Sequence, residues 1–342
     1  MAILNFGAEG AREERGAESF QFPQPLPSLI NDLDGLTVVI TATYDDPTTP
    51  EEDAVTAFPY LDGLFVGRPG GLGVARALTN QNQANPGGDD NLTEGETVKL
   101  AFSEEVTFSE LLFRDEFHRS YIGQPALFLD YALVEVDEER TYFIQLIDPT
   151  AAWEDANSNG IFDPGLDTRI PLLPEDGTPP PLTGTTFEFS YGDVEDDDDQ
   201  YYIDTATIFR LAKLGDFVWE DLNANGLQEA DEPGINGVTV KLLSATGAVL
   251  QTTTTGAGTD DPDTPGDESN GYYEFAGLTP GVDYKVMFTQ PTGFNSVSPF
   301  QVEDDDDPAI DSDANPGNGL MSDVVVLESG KFNRTIDAGF YN

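Results

Sequence analysis

From position 36 onward the chain is written in short runs whose apolar and polar residues alternate: LTVVITATY at 36–44, GETVKLAFS at 95–103, VTFSELLFRD at 106–115, RTYFIQLID at 140–148, TTFEFSYGD at 185–193 and YYIDTATIFRL at 201–211. A period of two puts every second side chain on one face, the pattern of a strand with one side buried. The shorter GLFVG at 63–67 and the more apolar ALFLDYALVEV at 126–136 read the same way, with Gly, Pro, Asn and Asp clusters between the runs. No long amphipathic helix stands out. Strands of this kind bury their apolar faces economically as two stacked antiparallel sheets, so residues 36–211 are expected to form a β-sandwich.

Residues 1–35 read as an extended N-terminal arm. ILNF at 3–6 and SFQFPQPL at 19–26 are apolar patches set among charges and prolines, and the prolines exclude a continuous helix. Such an arm is either a disordered leader or a strand that pairs with a sheet edge, in this molecule or a neighbour.

Near Lys213 the text changes character. GDFVW at 215–219, an Asp/Asn loop, PGINGV at 233–238, GYYEF at 271–275, LTPG at 278–281 and DAGFY at 337–341 follow in order. Through these motifs residues 212–342 resemble the B-repeat of staphylococcal serine-aspartate repeat surface proteins, a relative of the collagen-adhesin B-type module. The resemblance implies a prealbumin-like, immunoglobulin-like β-sandwich stabilised by calcium and used as a stalk or spacer in secreted or cell-surface adhesins. A second, shorter resemblance is carried by residues 71–74, 89–91, 94–96, Phe102, Val106 and Phe113. These are similar to a β-sandwich of exported bacterial proteins that carry a C-terminal sorting signal. The expected architecture is therefore all-β: an arm at 1–35, an N-terminal sandwich at 36–211 and an SdrD B-like calcium-binding sandwich at 212–342, in tandem.

Charge narrows the partners. With 64 Asp and Glu against 15 Lys and Arg, the formal net charge is -49. Nucleic acid would need clustered cations, and anionic lipid would be repelled, so neither fits. Divalent cations do, as does a surface adapted to a salt-rich habitat. The opening MAILNFGAEGAREERG has no apolar core of signal-peptide length, and no run in the chain approaches a membrane span.

The two tryptophans each introduce a candidate calcium loop: WEDANSNGIFD at 153–163 and WEDLNANGLQE at 219–229. With Asp221 as the first position, Asn223, Asn225, the Leu227 carbonyl, Glu229 and Glu232 fall at positions 3, 5, 7, 9 and 12, and Gly226 at 6. Those are the oxygen-supplying positions of an EF-hand loop, in which the last Glu chelates through both oxygens. A loop without Cys or His, built from hard oxygen donors, favours Ca²⁺ over transition metals. In the earlier copy Asp155, Asn157, Asn159, the Ile161 carbonyl and Asp163 repeat the first positions, but position 12 is Leu166 and the next acid, Asp167, comes one residue late. Neither loop has flanking helices, so an EF-hand fold is not expected. The resemblance further implies calcium sites completed by acids near EDDDD at 303–307, with Asp304, Asp305, Asp311, Asp313 and Asp216 as the candidates.

Catalysis has little to stand on. There is no cysteine, and the single histidine, His118, has no nucleophile motif beside it. In collagen-adhesin modules a Lys–Asn cross-link is assisted by a buried Glu. Here Lys213 and Asn333 or Asn342 sit near the matching strands, but Gln290 stands where that Glu would be, so no cross-link is expected. The reading is a non-enzymatic extracellular or cell-surface protein that binds calcium and self-associates or meets other surface proteins, as an adhesin or as a fibre subunit joined by its arm. A carbohydrate-binding sandwich with glycan partners, or a hydrolase carrying an accessory module, remains the alternative.

Overall fold

The computed structural model describes residues 2–6, 15–16, 20–22, 35–44, 55–61, 64–65, 68–69, 72–75, 92, 95–115, 120, 131–156, 166–174, 178–192, 201–258, 270–302 and 310–342. Among these, strands and turns account for nearly everything, with one short 3-10 turn at Pro316–Asn318. The chain divides into two compact units, and the second runs Arg210–Asn342 and takes in Thr178.

The first unit holds β1 (Ala2–Asn5), β2 (Arg15–Gly16), β3 (Phe20–Phe22), β4 (Val38–Tyr44), β5 (Val55–Leu61), β6 (Leu64–Phe65), β7 (Arg68–Pro69), β8 (Leu72–Ala75), β9 (Glu96–Asp115), β10 (Tyr131–Val136), β11 (Arg140–Gln145), β12 (Ala151–Glu154), β13 (Thr168–Pro171), β14 (Thr183–Gly192) and β15 (Tyr201–Phe209). All but β6 and β7 belong to one continuous sheet. Its hinge is β9, a strand of 20 residues that serves two layers. Residues 96–102 lie between β4 and β14, while 107–115 pair with β15. Between these halves Ser103, Glu104 and Glu105 are exposed, whereas Phe102 and Val106 turn inward.

On β14 the partner jumps from Ala101, opposite Thr186, to Val106, opposite Gly184, so β9 turns a corner there. Across the corner Phe102, Phe108 and Phe187 meet edge to face, with ring centroids 4.5 to 6.1 Å apart. Each such pair adds about 0.5–1.5 kcal/mol beyond the area it buries. Asp137, at the tip of the β10–β11 hairpin, fixes the other side: its Oδ1 accepts the backbone N–H of Thr185 and Thr186 and both of their hydroxyls. Partial burial pushes this carboxyl up, but the four hydrogen bonds outweigh it and hold the group below the usual carboxylate range.

From β15 the pairings run through β9, β4, β5 and β8 and return to β15, where Leu72 meets Ile203. The arm is stitched onto this sheet by three short strands: β1 on β15, β2 on β5 and β3 on β4.

The second unit holds β16 (Ala212–Glu220), β17 (Thr239–Ser244), β18 (Val249–Thr254), β19 (Tyr272–Leu278), β20 (Asp283–Phe288), β21 (Ser296–Val297), β22 (Val325–Val326), β23 (Phe332–Asn333) and β24 (Ala338–Tyr341). One sheet has the order β19-β16-β24-β21 with β23 also on β16, and the other has the order β18-β17-β20-β22. Leu214, Val218, Val240, Val286, Tyr273 and Phe340 meet in the core these strands share. The strand β16 is buried on both faces from Leu214 to Trp219, and it delivers the chain to the Asp/Asn loop.

Candidate calcium loop

Trp219 is fully buried, stacked on Phe217 with centroids 6.5 Å apart. The main chain pins the loop at both ends beside it. Glu220 N–H donates to the Pro233 carbonyl and Ile235 N–H to that of Val218, while Asp221 N–H donates to Phe340 of β24. The loop must therefore leave and re-enter at one place on the sheet.

Between those pins the predicted residues converge on one another. Asp221 accepts the backbone N–H of Asn225 at 3.2 Å and of Gly226 at 2.9 Å. Asn223 Oδ1 accepts Asn225 N–H at 2.9 Å and Asn225 Oδ1 accepts Leu227 N–H at 2.8 Å, a chain of Asx turns. Both amides donate to Glu229, each at 2.8 Å. Glu232 closes the loop, its two oxygens accepting Leu222 N–H at 2.7 Å and Glu229 N–H at 3.2 Å. Gly226 has φ +88°, and a Cβ there would collide with the Pro299 carbonyl and Val302. Its position is one that only glycine fills without strain.

Three carboxylates thus share one loop with no cation paired to them among the described residues. Asp221 and Glu232 are both buried. Burial first, and then the charges of Asp221 and Glu229, push the Glu232 carboxyl up despite its two backbone hydrogen bonds. This is the electrostatic condition that a bound divalent cation relieves, and the donor set is all oxygen, as Ca²⁺ requires. The loop fits the ion in donor chemistry. Its carboxylates are nonetheless turned toward backbone N–H groups: among the described residues, no three acidic or histidine side chains gather as a metal's ligands would.

The remaining candidates separate. Asp311 is drawn to this loop, since Leu227 pairs with Asp311 and Gln228 N–H donates to the Ile310 carbonyl. Asp216 and Asp313 are instead buried acids whose charges reach Tyr273, as does that of Asp337, which sequence reasoning missed. Asp337 Oδ1 accepts Phe217 N–H at 2.8 Å, its N–H donates to Asp313 Oδ2 at 3.1 Å, and Asp216 is paired with Arg334 at 3.0 Å. Burial pushes Asp313 up to about 7, against the hydrogen bonds from Asp337 and Gln301. Burial and the charges of Asp337, Asp313 and Asp216 push the Tyr273 hydroxyl up, and it donates to the Ile336 carbonyl. Asp337 opens the DAGFY motif, but nothing in the motif shows that its carboxylate meets Phe217 N–H. Asp304 and Asp305 lie outside the described residues, as does His118.

In the earlier loop Asp155 and Asp167 are both buried, and Asp167 accepts the N–H of Ala156 at 3.1 Å, so the two acids are brought to the same turn. Trp153 packs beside Tyr131 and Phe143. Asn157, Asn159, Ile161 and Asp163 lie outside the described residues.

Comparison with known proteins bears on the second unit. Residues 212–340 match the family model of the SdrD B-like domain. Over 128 residues, 37% of this chain, the sequence is 41% identical to serine-aspartate repeat-containing protein D of Staphylococcus aureus strain Newman. Over 128 residues it is 39% identical to serine-aspartate repeat-containing protein F of Staphylococcus epidermidis. These stretches make up only 8% and 6% of the two relatives. The T6 backbone pilin of Streptococcus pyogenes aligns over 79% of this chain and 62% of its own at 9% identity, with a TM-score of 0.21 that carries no argument.

Proposed function

We propose that this is a non-enzymatic extracellular protein with a structural or adhesive role at the cell surface, stiffened by calcium in its second unit. The observation that carries the calcium reading is the Asp221–Glu232 loop, which heads the region similar to the SdrD B-like domain and holds three carboxylates without a counter-cation among the described residues. Asp221, Asn223, Asn225, the Leu227 carbonyl, Glu229 and Glu232 would hold the ion, with Asp311 at hand. The chain's own part is to pin both ends of the loop to β16 and β24, so that an ion bound there ties Trp219 to the rest of the sheet. The second loop, with Asp155, Asn157, Asn159, Ile161, Asp163 and Asp167, takes a second ion. Asp216 and Asp313, with Asp304 and Asp305, would complete a further site. The arm serves as the joint between subunits of a surface fibre.

An ion that binds only the folded state stabilises it by about 2.7 kcal/mol at 100 times its dissociation constant. Thermal unfolding with calcium and then with excess chelator is the test. A rise of several degrees with calcium is expected, and identical curves would overturn the calcium reading.

A further inference from the structure

Among the described residues, strand β1 alone pairs with residues 205–208 on the edge of β15 that faces away from β9. It runs antiparallel to β15, with Ala2 opposite Ile208, Ile3 opposite Thr207, Leu4 opposite Ala206 and Asn5 opposite Thr205. The other edge of β15 is taken by β9, and β8 meets β15 only at Ile203. Leu4 and Phe6 are completely buried in the unit's core with Ala206 and Ile208, while Ile3, on the outward face, is 51% exposed. Removing β1 would leave unpaired those backbone groups of residues 205–208 that face away from β9, and would open the places of two large apolar side chains. A bare edge of this kind is a template for another strand.

What fits the template is written in the fold itself: the sequence AILNF, in this register. The fit is made by backbone hydrogen bonds and two side chains, and none of it depends on donor and acceptor being in the same chain. Every copy carries one donor strand, at the start of the sequence, and one acceptor edge. Donor and acceptor are different surfaces, so exchange between copies is head to tail and extends rather than closing on itself, unless two copies swap reciprocally.

We infer that the β15 edge of one copy accepts β1 of a second copy, in the register Ile3 opposite Thr207. This rests on the reading of the protein as a fibre subunit and supplies its joint. Because the strand is docked in its own chain as well, intramolecular and intermolecular pairing compete at the same edge, and concentration favours the second.

The chain has no cysteine, which makes the test clean. Two full-length single variants, I3C and T207C, are unfolded together in denaturant, refolded as a mixture at high concentration and oxidised. Bridged peptides are identified by mass spectrometry. Both positions lie away from the core, and the double variant I3C/T207C is treated alongside as a control of the register. A bridge between positions 3 and 207 in the mixture, in a species of twice the chain mass, is the expected result. Adding Leu4→Asp to the donor should cut its yield by more than about tenfold, because a carboxylate cannot enter that site unpaired. If the mixture gives no such bridge while the double variant bridges within each chain, the strand stays at home and the inference is overturned. If neither bridges, the register is wrong and the inference falls too. The calcium reading is tested separately by the chelator experiment and survives either failure.

Discussion

The carboxylate of Asp137 occupies the space that a side chain at position 184 would need: an ideal Cβ on Gly184 would lie closer to Asp137 Oδ2 than any real Cβ contact, and would also crowd Val136. The β9 corner therefore depends on a glycine and an acid acting together. Gly184→Ala is expected to destabilise the first unit by about 1–3 kcal/mol, the usual cost of overpacking. Asp137→Ala strands the half-buried N–H of Thr186, leaves that of exposed Thr185 to water, and costs about 1 kcal/mol. The double variant should lose less than the sum, since removing the carboxylate makes room for the methyl group. A denaturant-unfolding cycle measures the difference, and strict additivity would refute the coupling.

The same carboxylate sets a pH dependence. Its hydrogen bonds, outweighing partial burial, hold the folded-state value below the ordinary 3.8. A group depressed in the folded state stabilises above its unfolded value, and that stability is lost as pH falls through the folded value. The melting-temperature gap between the protein and Asp137→Asn should thus be full above about pH 4 and narrow below it. A gap independent of pH would mean that the charge of Asp137 contributes nothing.

Glu232 predicts two opposite readouts from one substitution. On the calcium reading, calorimetric titration of Glu232→Gln should show calcium affinity lower by about tenfold or more, since the proposed bidentate ligand is lost. Melting in chelator should change little. There the removal of a charge disfavoured by burial and by Asp221 and Glu229 offsets the loss of one acceptor. An equal fall in both readouts would make Glu232 a purely structural cap. Gly226→Ala, by contrast, should lower stability by about 1–3 kcal/mol with or without calcium, because the collision with Pro299 and the positive φ are properties of the loop itself.

The Lys–Asn cross-link is expected to be absent. Lys213 Nζ is paired with Glu274 at 2.9 Å, and Asn333 Oδ1 accepts the N–H and hydroxyl of Thr335. Both groups have other partners, and Gln290 bonds the Phe294 carbonyl instead of assisting a reaction. Intact-mass measurement should return the unmodified chain, and a deficit of one ammonia would overturn this.

Alternation made most strands legible, and it failed where hydrogen bonding and side-chain pattern part company. Residues 95–103 and 106–115 read as two strands because Ser103, Glu104 and Glu105 interrupt the apolar period, yet β9 continues through them and only its partners change. VTAFPYL at 55–61 carries a proline, which argues against a paired strand. In β5, Pro59 stands opposite Val74 of β8, and on the other edge it falls between the part paired with β4 and the part paired with β2. The Asp221–Glu232 loop was readable because its ligand positions are local. Asp337 was not, because its meeting with Asp313 and Phe217 is made by β24 lying against β16 at a separation no local pattern reports.

That last pairing also decides how the second unit would bear a load. β16 is its first strand and β24 its last, and they run parallel, with Val218 opposite Ala338, Trp219 opposite Gly339 and Glu220 opposite Phe340. Tension applied through the two ends of the unit would pull these neighbours in opposite senses along their length, straining every bond between them at once rather than peeling them apart singly. Such a pairing resists being pulled, and the buried indole of Trp219 lies within it.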